Sequence, residues 1–342
     1  MKLVVITVLT GALLLAALDA GAQTAAISLS IPPSARANGM GEAYAAIASD
    51  ASAAWFNPAG LAFLKRQDVN LTHAQLVPDL ASDVYHEFLA YALPIQGVGT
   101  FAGSLIYLSY GESQGTGNSG EDLGTFRSYE FAPAISYGVL LAGQVGVGLS
   151  FKYVRVQLSP DFPNLPPGAG AGSTVAMDLG VLWRVPVWEN RLAVAGALQN
   201  LGPDITFVED GISDPIYRNL RIGAAGTVYD KNHLGVVLIG ELNQLLVKGE
   251  IRDEETGEVR ERYGKPIWNG GGEVAYTIKD INVALRGGYI HDDDGSISDP
   301  TYGLGVGYKG FRVDFASIPQ AEDQESGTKL ARVKKFTLGA SF

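Results

Sequence analysis

Four histidines, His73, His86, His233 and His291, supply all the imidazole in this chain. No two of them stand in an HxxxH or HExxH relation, so no helix face brings a pair together to hold a metal. Cysteine is absent, which removes disulfides, thiol nucleophiles and thiolate metal sites. No G-x-S-x-G elbow is present to expose a nucleophilic serine. Gly305-x-Gly307-x-x-Gly310 has the spacing of a dinucleotide loop, but Tyr302 to Phe315 reads as strand, turn and strand, with no helix N-terminus to receive a pyrophosphate. Asp292-Asp293-Asp294-Gly295-Ser296, followed by Ser298 and Asp299, clusters hard oxygens that suit calcium. No glutamate closes that loop at the EF-hand position, and an acidic loop tip accounts for the same residues. Neither an enzyme nor a cofactor-binding protein is expected.

The remaining charges of interest share a position rather than a motif. Glu130, Lys152, Asp178, Arg184, Arg221, Glu241, Arg286 and Asp314 each fall on the polar side of a segment whose other side is apolar. Ion pairing across a small lumen explains such a set, and so does a polar conduit; pairing is the simpler expectation.

The elements that place these charges follow from alternation with period two. Val145, Val147, Leu149, Phe151 and Tyr153 oppose Gln144, Gly146, Gly148, Ser150 and Lys152. Val175, Met177, Leu179, Val181 and Trp183 oppose Asp178, Gly180 and Arg184, and the same pattern returns at Val283 to Tyr289 and at Tyr302 to Tyr308. An apolar outer face against a polar or glycine-rich inner face is what lipid outside and a filled lumen inside require. The pattern predicts strands at 68–76, 84–94, 97–110, 127–140, 144–158, 174–185, 191–200, 218–229, 233–245, 267–278, 281–290, 301–308, 311–318 and 333–342, with 97–110 the most blurred. This is an all-β protein: a transmembrane antiparallel barrel of about fourteen strands over residues 68–342.

The gaps between these strands are short and long in turn. Short ones fall at 95–96, 142–143, 186–190, 230–232, 279–280 and 309–310; long ones at 111–126, 159–173, 201–217, 246–266 and 319–332, with 77–83 and 291–300 intermediate. Outer-membrane barrels have tight periplasmic turns and longer extracellular loops, so both ends of the barrel are expected in the periplasm.

Composition agrees. Hydrophobic residues make up 46% of the chain and the mean hydropathy is +0.12, yet beyond the N-terminus no uninterrupted apolar segment is long enough for a spanning helix. The 43 glycines disfavour helix, and the 15 tyrosines suit a membrane interface. A net charge of −11, from 36 acidic and 25 basic residues, argues against nucleic acid as a partner.

Met1-Lys2, the apolar run to Leu18 and Ala20-Gly21-Ala22 form a secretory signal peptide over residues 1–22, with cleavage expected before Gln23. At the other end Phe336, Leu338, Ala340 and Phe342 line one face of a strand. That strand resembles the signal read by the bacterial barrel-assembly machinery, an expected partner along with outer-membrane lipid.

Residues 23–67 have no strand periodicity. In this stretch Asp50 is suited to N-cap an alanine-rich turn of helix, and Asn57 to cap another with Pro58 at its first position. Such a piece lacks a partner of its own, and the lumen is the natural place for it. Asn38-Gly39-Met40-Gly41, the turn Asp50-Ala51-Ser52 and Asn57-Pro58-Ala59-Gly60 resemble the N-terminal region of FadL-like outer-membrane proteins, and more closely their PorV/PorQ branch. Leu198 to Pro203, Asn219 to Gly223 and Phe311 to Phe315 are similar to that branch too. The resemblance implies a hatch seated in a fourteen-stranded barrel, with Asn38, Gly39, Gly41, Asp50, Asn57, Pro58 and Gly60 as its motif. It also implies a component of protein export of the type IX kind, in contact with secreted proteins or other secretion components. The alternative within the same resemblance is a FadL-type passive channel for long-chain fatty acids or other small hydrophobic molecules.

Overall fold

The computed structural model describes residues 24–78, 80–117, 120–160, 170–207, 213–252, 259–321 and 331–342; the expected signal peptide, residues 1–22, lies outside the described residues. Fourteen strands form one closed antiparallel barrel. They are β1 (Asp68–Gln75), β2 (Val84–Ile95), β3 (Gly99–Thr116), β4 (Asp122–Leu141), β5 (Val145–Gln157), β6 (Ala171–Val185) and β7 (Leu192–Leu201). They continue with β8 (Asn219–Lys231), β9 (Leu234–Leu245), β10 (Ile267–Ile278), β11 (Ile281–Asp292), β12 (Ile297–Tyr308), β13 (Phe311–Ile318) and β14 (Val333–Ser341). Each strand pairs with its chain neighbours, and β1 closes the barrel on β14 from Asp68↔Ser341 to Gln75↔Lys334. Closure leaves no unpaired edge within the wall, which is what a hydrocarbon surrounding demands of backbone amides.

The apolar members of the alternation point outward and are exposed: Phe151, Val181, Trp183, Leu285, Tyr302, Leu304 and Val306 among them. A belt of this extent is far larger than the apolar patches soluble monomers show, and lipid is the solvent that suits it. No described helix is long and apolar enough to cross a membrane.

The short connections gather at one end, here the short-turn end. At Ala142–Gly143, Asn232–His233 and Lys309–Gly310 both central residues have positive φ, as two-residue hairpin turns require. Gln67 and Phe342 exchange backbone hydrogen bonds at this same end, so the barrel starts and finishes there.

Two elements depart from the sequence expectation. β3 and β4 are longer than expected, running on from Glu112↔Arg127 to Thr116↔Asp122. Beyond the lipid the two strands still satisfy each other's amides, but nothing apolar is needed on either face, so the alternation that marks a strand fades. β3 was also blurred because its inner face carries Ile106 and Leu108, which are buried inside the barrel. The expected loops 201–217 and 246–266 likewise carry small hairpins, Ile205–Thr206 with Ser213–Asp214 and Lys248–Arg252 with Val259–Tyr263.

Candidate functional site

The lumen is filled by residues 24–67, whose apolar side chains Leu29, Met40, Tyr44, Trp55, Phe56 and Leu61 are buried together with Phe88, Ile106, Leu182 and Ile239 of the wall. This plug threads the barrel from one end to the other. Ala25 bridges Ile216 at the long-loop end, its amide donating to the Pro215 carbonyl. Glu130 then takes three donors: the amides of Ile27 (3.0 Å) and Ser28 (2.8 Å) and the Tyr110 hydroxyl (2.5 Å). Lys335 donates to the Pro32 carbonyl at 2.5 Å. A one-turn helix, Ala35–Asn38, follows, with Ser34 as its side-chain cap, and the Ala35 amide reaches Thr337 of β14 at 2.9 Å.

At Gly39-Met40-Gly41 the plug backbone lies directly on the wall. Gly41 has φ +70, and a Cβ there would lie 2.5 Å from the Gly270 carbonyl and 2.6 Å from that of Tyr289. Gly271 and Gly288, paired across β10 and β11, face Met40, and Gly303 faces Gly39. A second seat lies nearer the short-turn end. Asn57 caps the 3-10 turn Pro58–Phe63 by accepting from the Ala59 amide, and its Nδ2 donates to the carbonyls of Ala45 and Val181. Beneath it Gly138, Gly148 and Gly180 form one row across β4, β5 and β6. A Cβ at Gly138 would come within 2.7 Å of the Pro58 carbonyl oxygen. The glycine-rich inner face therefore corresponds to two bearing surfaces for backbone.

Between the seats the plug is held by charge. Glu241 accepts from the amides of Tyr44 (3.0 Å) and Ala45 (2.8 Å) while pairing with Arg221 at 2.5 Å. Arg221 also lies over the rings of Trp55 and Phe56 and donates to Gln199. Arg36 of the plug meets Glu273 through two hydrogen bonds, and Glu273 continues to Arg286 and on to Asp314. Near the short-turn end Arg312 grips Asp68 with two hydrogen bonds, and Asp68 accepts from the Ala51 amide. Arg312 is also 3.7 Å from Asp50.

Asp50 does not stand at the N-cap of helix Ala53–Phe56, as the sequence suggested. Ser52 occupies that place without a side-chain cap, and Asp50 closes the preceding turn by accepting from the Ser52 amide and hydroxyl and from Tyr44. Asp50 is better used there because its charge also faces Arg312. Burial works to raise its carboxyl, but Arg312, the Ser52 hydroxyl, Arg36 and Tyr44 together hold it below its ordinary value. A depressed folded-state value means Asp50 stabilises the plug above the unfolded aspartate value of about 4 and loses that contribution as pH falls through the folded value. Melting of wild type and Asp50→Asn from pH 7 to pH 2 checks this: the difference between them should shrink toward acid, and a constant difference would refute it.

The other expected charges are placed as follows. Lys152 pairs with Asp178 at 2.8 Å and donates to Asn200, whose amide returns to Asp178 at 2.7 Å, so this trio ties β5, β6 and β7 together. Arg184 stands apart: it lies over the Phe63 ring at 4.1 Å, and among the described residues no carboxylate approaches it within 4 Å. Asp68, Glu273, Arg312 and Lys335 were missed, although each sits on the inward parity of an expected strand. Arg36 gave no signal, since it lies where nothing alternates. In the acidic run Asp293 pairs with Lys265 at 3.0 Å, Asp294 accepts from the Lys265 amide, and Asp292 from the Gly295 amide. Among the described residues no group of three or more His, Cys, Asp or Glu is arranged to hold a metal.

Comparison with known proteins adds a family and a fold. The family model of PorV, a type IX secretion system protein, matches residues 17–251. Among solved structures, the toluene transporter TbuX of Ralstonia pickettii superposes with a TM-score of 0.56 at 14% identity, covering 90% of this chain and 97% of that one. The toluene transporter TodX of Pseudomonas putida gives 0.56 at 11% identity, covering 95% and 98%. A FadL homologue of Pseudomonas aeruginosa gives 0.50 at 12% identity, covering 91% and 98%. No curated protein matches this chain in sequence. At such identities the structural likeness speaks for the fold alone.

Proposed function

This chain belongs to the PorV family of type IX secretion system proteins, and from that premise we propose that it is a component of protein export in the outer membrane. The observation that carries the reading is the filled lumen. A barrel whose interior is packed with its own segment, latched at Glu130, Glu241, Glu273 and Asp68, offers loops and outer wall as working surfaces instead of a pore. The short-turn end faces the periplasm and the long loops face outward in this reading. Epitopes inserted within 111–126, or between Thr24 and Ala25, are then expected to be labelled on intact cells, and an epitope at 230–232 to stay silent. The reverse result would invert the orientation.

A second reading, a channel for small hydrophobic molecules, has one observation on its side. Pairing between β4 and β5 passes from Phe131↔Arg155 to Ala134↔Lys152, with Ala132 and Pro133 unpaired on that side. Proline has no amide to give to the ladder, and the β4–β5 pairing is interrupted there. The two readings separate in a deletion strain complemented with wild type or with Asn57→Ala/Pro58→Gly. Removing the cap and the preset φ loosens the second seat by about 1 kcal/mol or more. We expect the release of secreted proteins to fall in the variant and in the deletion, with labelled fatty-acid uptake unchanged. Normal secretion with lost uptake would overturn the export reading.

A further inference from the structure

Strand β7 breaks its own alternation near its end. Ala195, Ala197 and Gln199 are buried in turn on the lumen side, and Asn200 is then buried as well, at 1% exposure. Gln199 and Asn200 stand against a single residue of β6, Asp178, because the pairing shifts between Met177↔Leu201 and Leu179↔Leu198. Asn200 itself has φ +58, a left-handed conformation that asparagine tolerates better than most residues. A bulge of this kind re-aims a side chain. Here it aims Asn200 at Lys152 of β5, whose Nζ lies 2.6 Å from Asn200 Oδ1. The same Nζ is 2.8 Å from Asp178 Oδ2, an oxygen that accepts no well-directed hydrogen bond and so keeps a lone pair open. Asp178 Oδ1 accepts from the Asn200 amide at 2.7 Å, and Asn200 Nδ2 donates to the Tyr217 carbonyl at 2.7 Å, which fixes the end of the carboxamide that faces the lysine. Lys152 and Asp178 are 4% and 0% exposed, so an amine, a carboxamide and a carboxyl meet with water excluded. An ion pair between the neighbouring strands β5 and β6 needs no bulge in β7; bringing the carboxamide to the amine does.

We propose that Lys152 and Asn200 join in an isopeptide bond, with Asp178 carrying the protons. A carbonyl bond is about 1.2 Å long, so Asn200 Cγ lies within about 3.8 Å of Nζ, close to the separation of about 3–3.5 Å from which reacting atoms combine. Asp178 Oδ2 takes one proton from the Lys152 ammonium and frees the lone pair of Nζ. That pair forms the Nζ–Cγ bond while the π pair of the carbonyl moves onto Oδ1. The carbonyl re-forms as the Cγ–Nδ2 bond breaks, and Nδ2 leaves with protons that Nζ has given up through Asp178. An ammonium and a carboxamide thus become a secondary amide and an ammonium ion, and Asp178 ends as the carboxylate it began as. No oxidant, reductant or co-reactant is consumed. The bond would staple β5 to β7 across β6. Lys152 is the first residue of β5 to regain a partner on the short-turn side of the break in the β4–β5 ladder, so the staple fixes the wall beside that break. The inference stands apart from the export reading, because it concerns the wall alone.

The test is a tryptic map of the full chain folded in detergent. Wild type should give a branched fragment joining residues 128–155 to 192–218, with no cleavage after Lys152 and a mass about 17 Da below the sum of its two parts, one ammonia. Chain recovered unfolded should lack this fragment and gain it on folding, without any added enzyme. Lys152→Arg, which keeps the charge but offers no amine to the carboxamide, should abolish it. Asp178→Asn, which keeps both reacting groups, should lower its yield at least tenfold. Heat-modifiable gel migration shows which variants have folded, and the wild-type map decides the matter even where they have not. Folded wild type that is cleaved after Lys152 and releases 192–218 unbranched would overturn the proposal. A folded Asp178→Asn protein with the branched fragment at wild-type yield would overturn the part given to Asp178.

Discussion

Replacing Arg221 by methionine is expected to destabilise the folded protein by about 3–5 kcal/mol, the range for removing one partner of a buried ion pair. The side chains of Arg221 and Glu241 are 4% and 0% exposed, so the orphaned carboxylate has no water to turn to. Two backbone amides, those of Tyr44 and Ala45, would still point at it, but they do not neutralise it. Arg221 also lies 5.0 Å from the ring of Trp55 and 5.4 Å from that of Phe56, so its loss loosens the plug core as well. The double variant Arg221→Met/Glu241→Gln should recover the larger part of the loss. Glutamine removes the buried charge while its carbonyl oxygen goes on accepting from the two amides. Urea unfolding in lipid vesicles and the temperature of the gel shift measure both. An Arg221→Met protein as stable as wild type would show that this level of the lumen is hydrated.

Gly148→Val should give the largest functional effect of any single wall substitution: a barrel that assembles with its plug displaced. A Cβ at position 148 would overlap the carbonyl carbon of Pro58 and the amide nitrogen of Ala59. Both are backbone atoms of a turn already fixed by Asn57 and Pro58, and cannot move aside as a flexible side chain would. Valine itself favours strand, so β5 should keep its ladder with β4 and β6. The expected outcome is normal heat-modifiable migration and a strand-rich circular dichroism spectrum, with planar-bilayer conductance raised by an order of magnitude or more. Gly240→Val serves as control, because that glycine is exposed on the outer face with open space around it. Unchanged conductance in Gly148→Val would mean that the turn at Pro58 is not what closes the lumen.

Legibility differed by element, for physical reasons. β5, β6, β11 and β12 were plain in the sequence because lipid on one side and lumen on the other impose opposite chemistries on alternate residues. β3 was blurred where the plug makes both of its faces apolar, at Ile106 and Leu108. The turn at Asn57-Pro58 was readable because a cap acts on residues two or three positions away. The role of Asp50 was not, since its deciding partner, Arg312, stands at the far end of the chain.

The sequence by itself determined the class of solvent on each side of the wall, the number of strands and the parity of their connections. All of these follow from local alternation and from where it stops. Only the tertiary structure decided which charge meets which. Arg36 and Glu273 are 237 residues apart, and Ala35 reaches Thr337 across 302. The same holds for the two glycine seats, whose members become neighbours only when β4, β5 and β6, or β10, β11 and β12, come into register. It holds for Arg184 as well: whether an inward arginine is paired depends on which carboxylates the closed barrel carries past it, and among the described residues none comes within 4 Å of it.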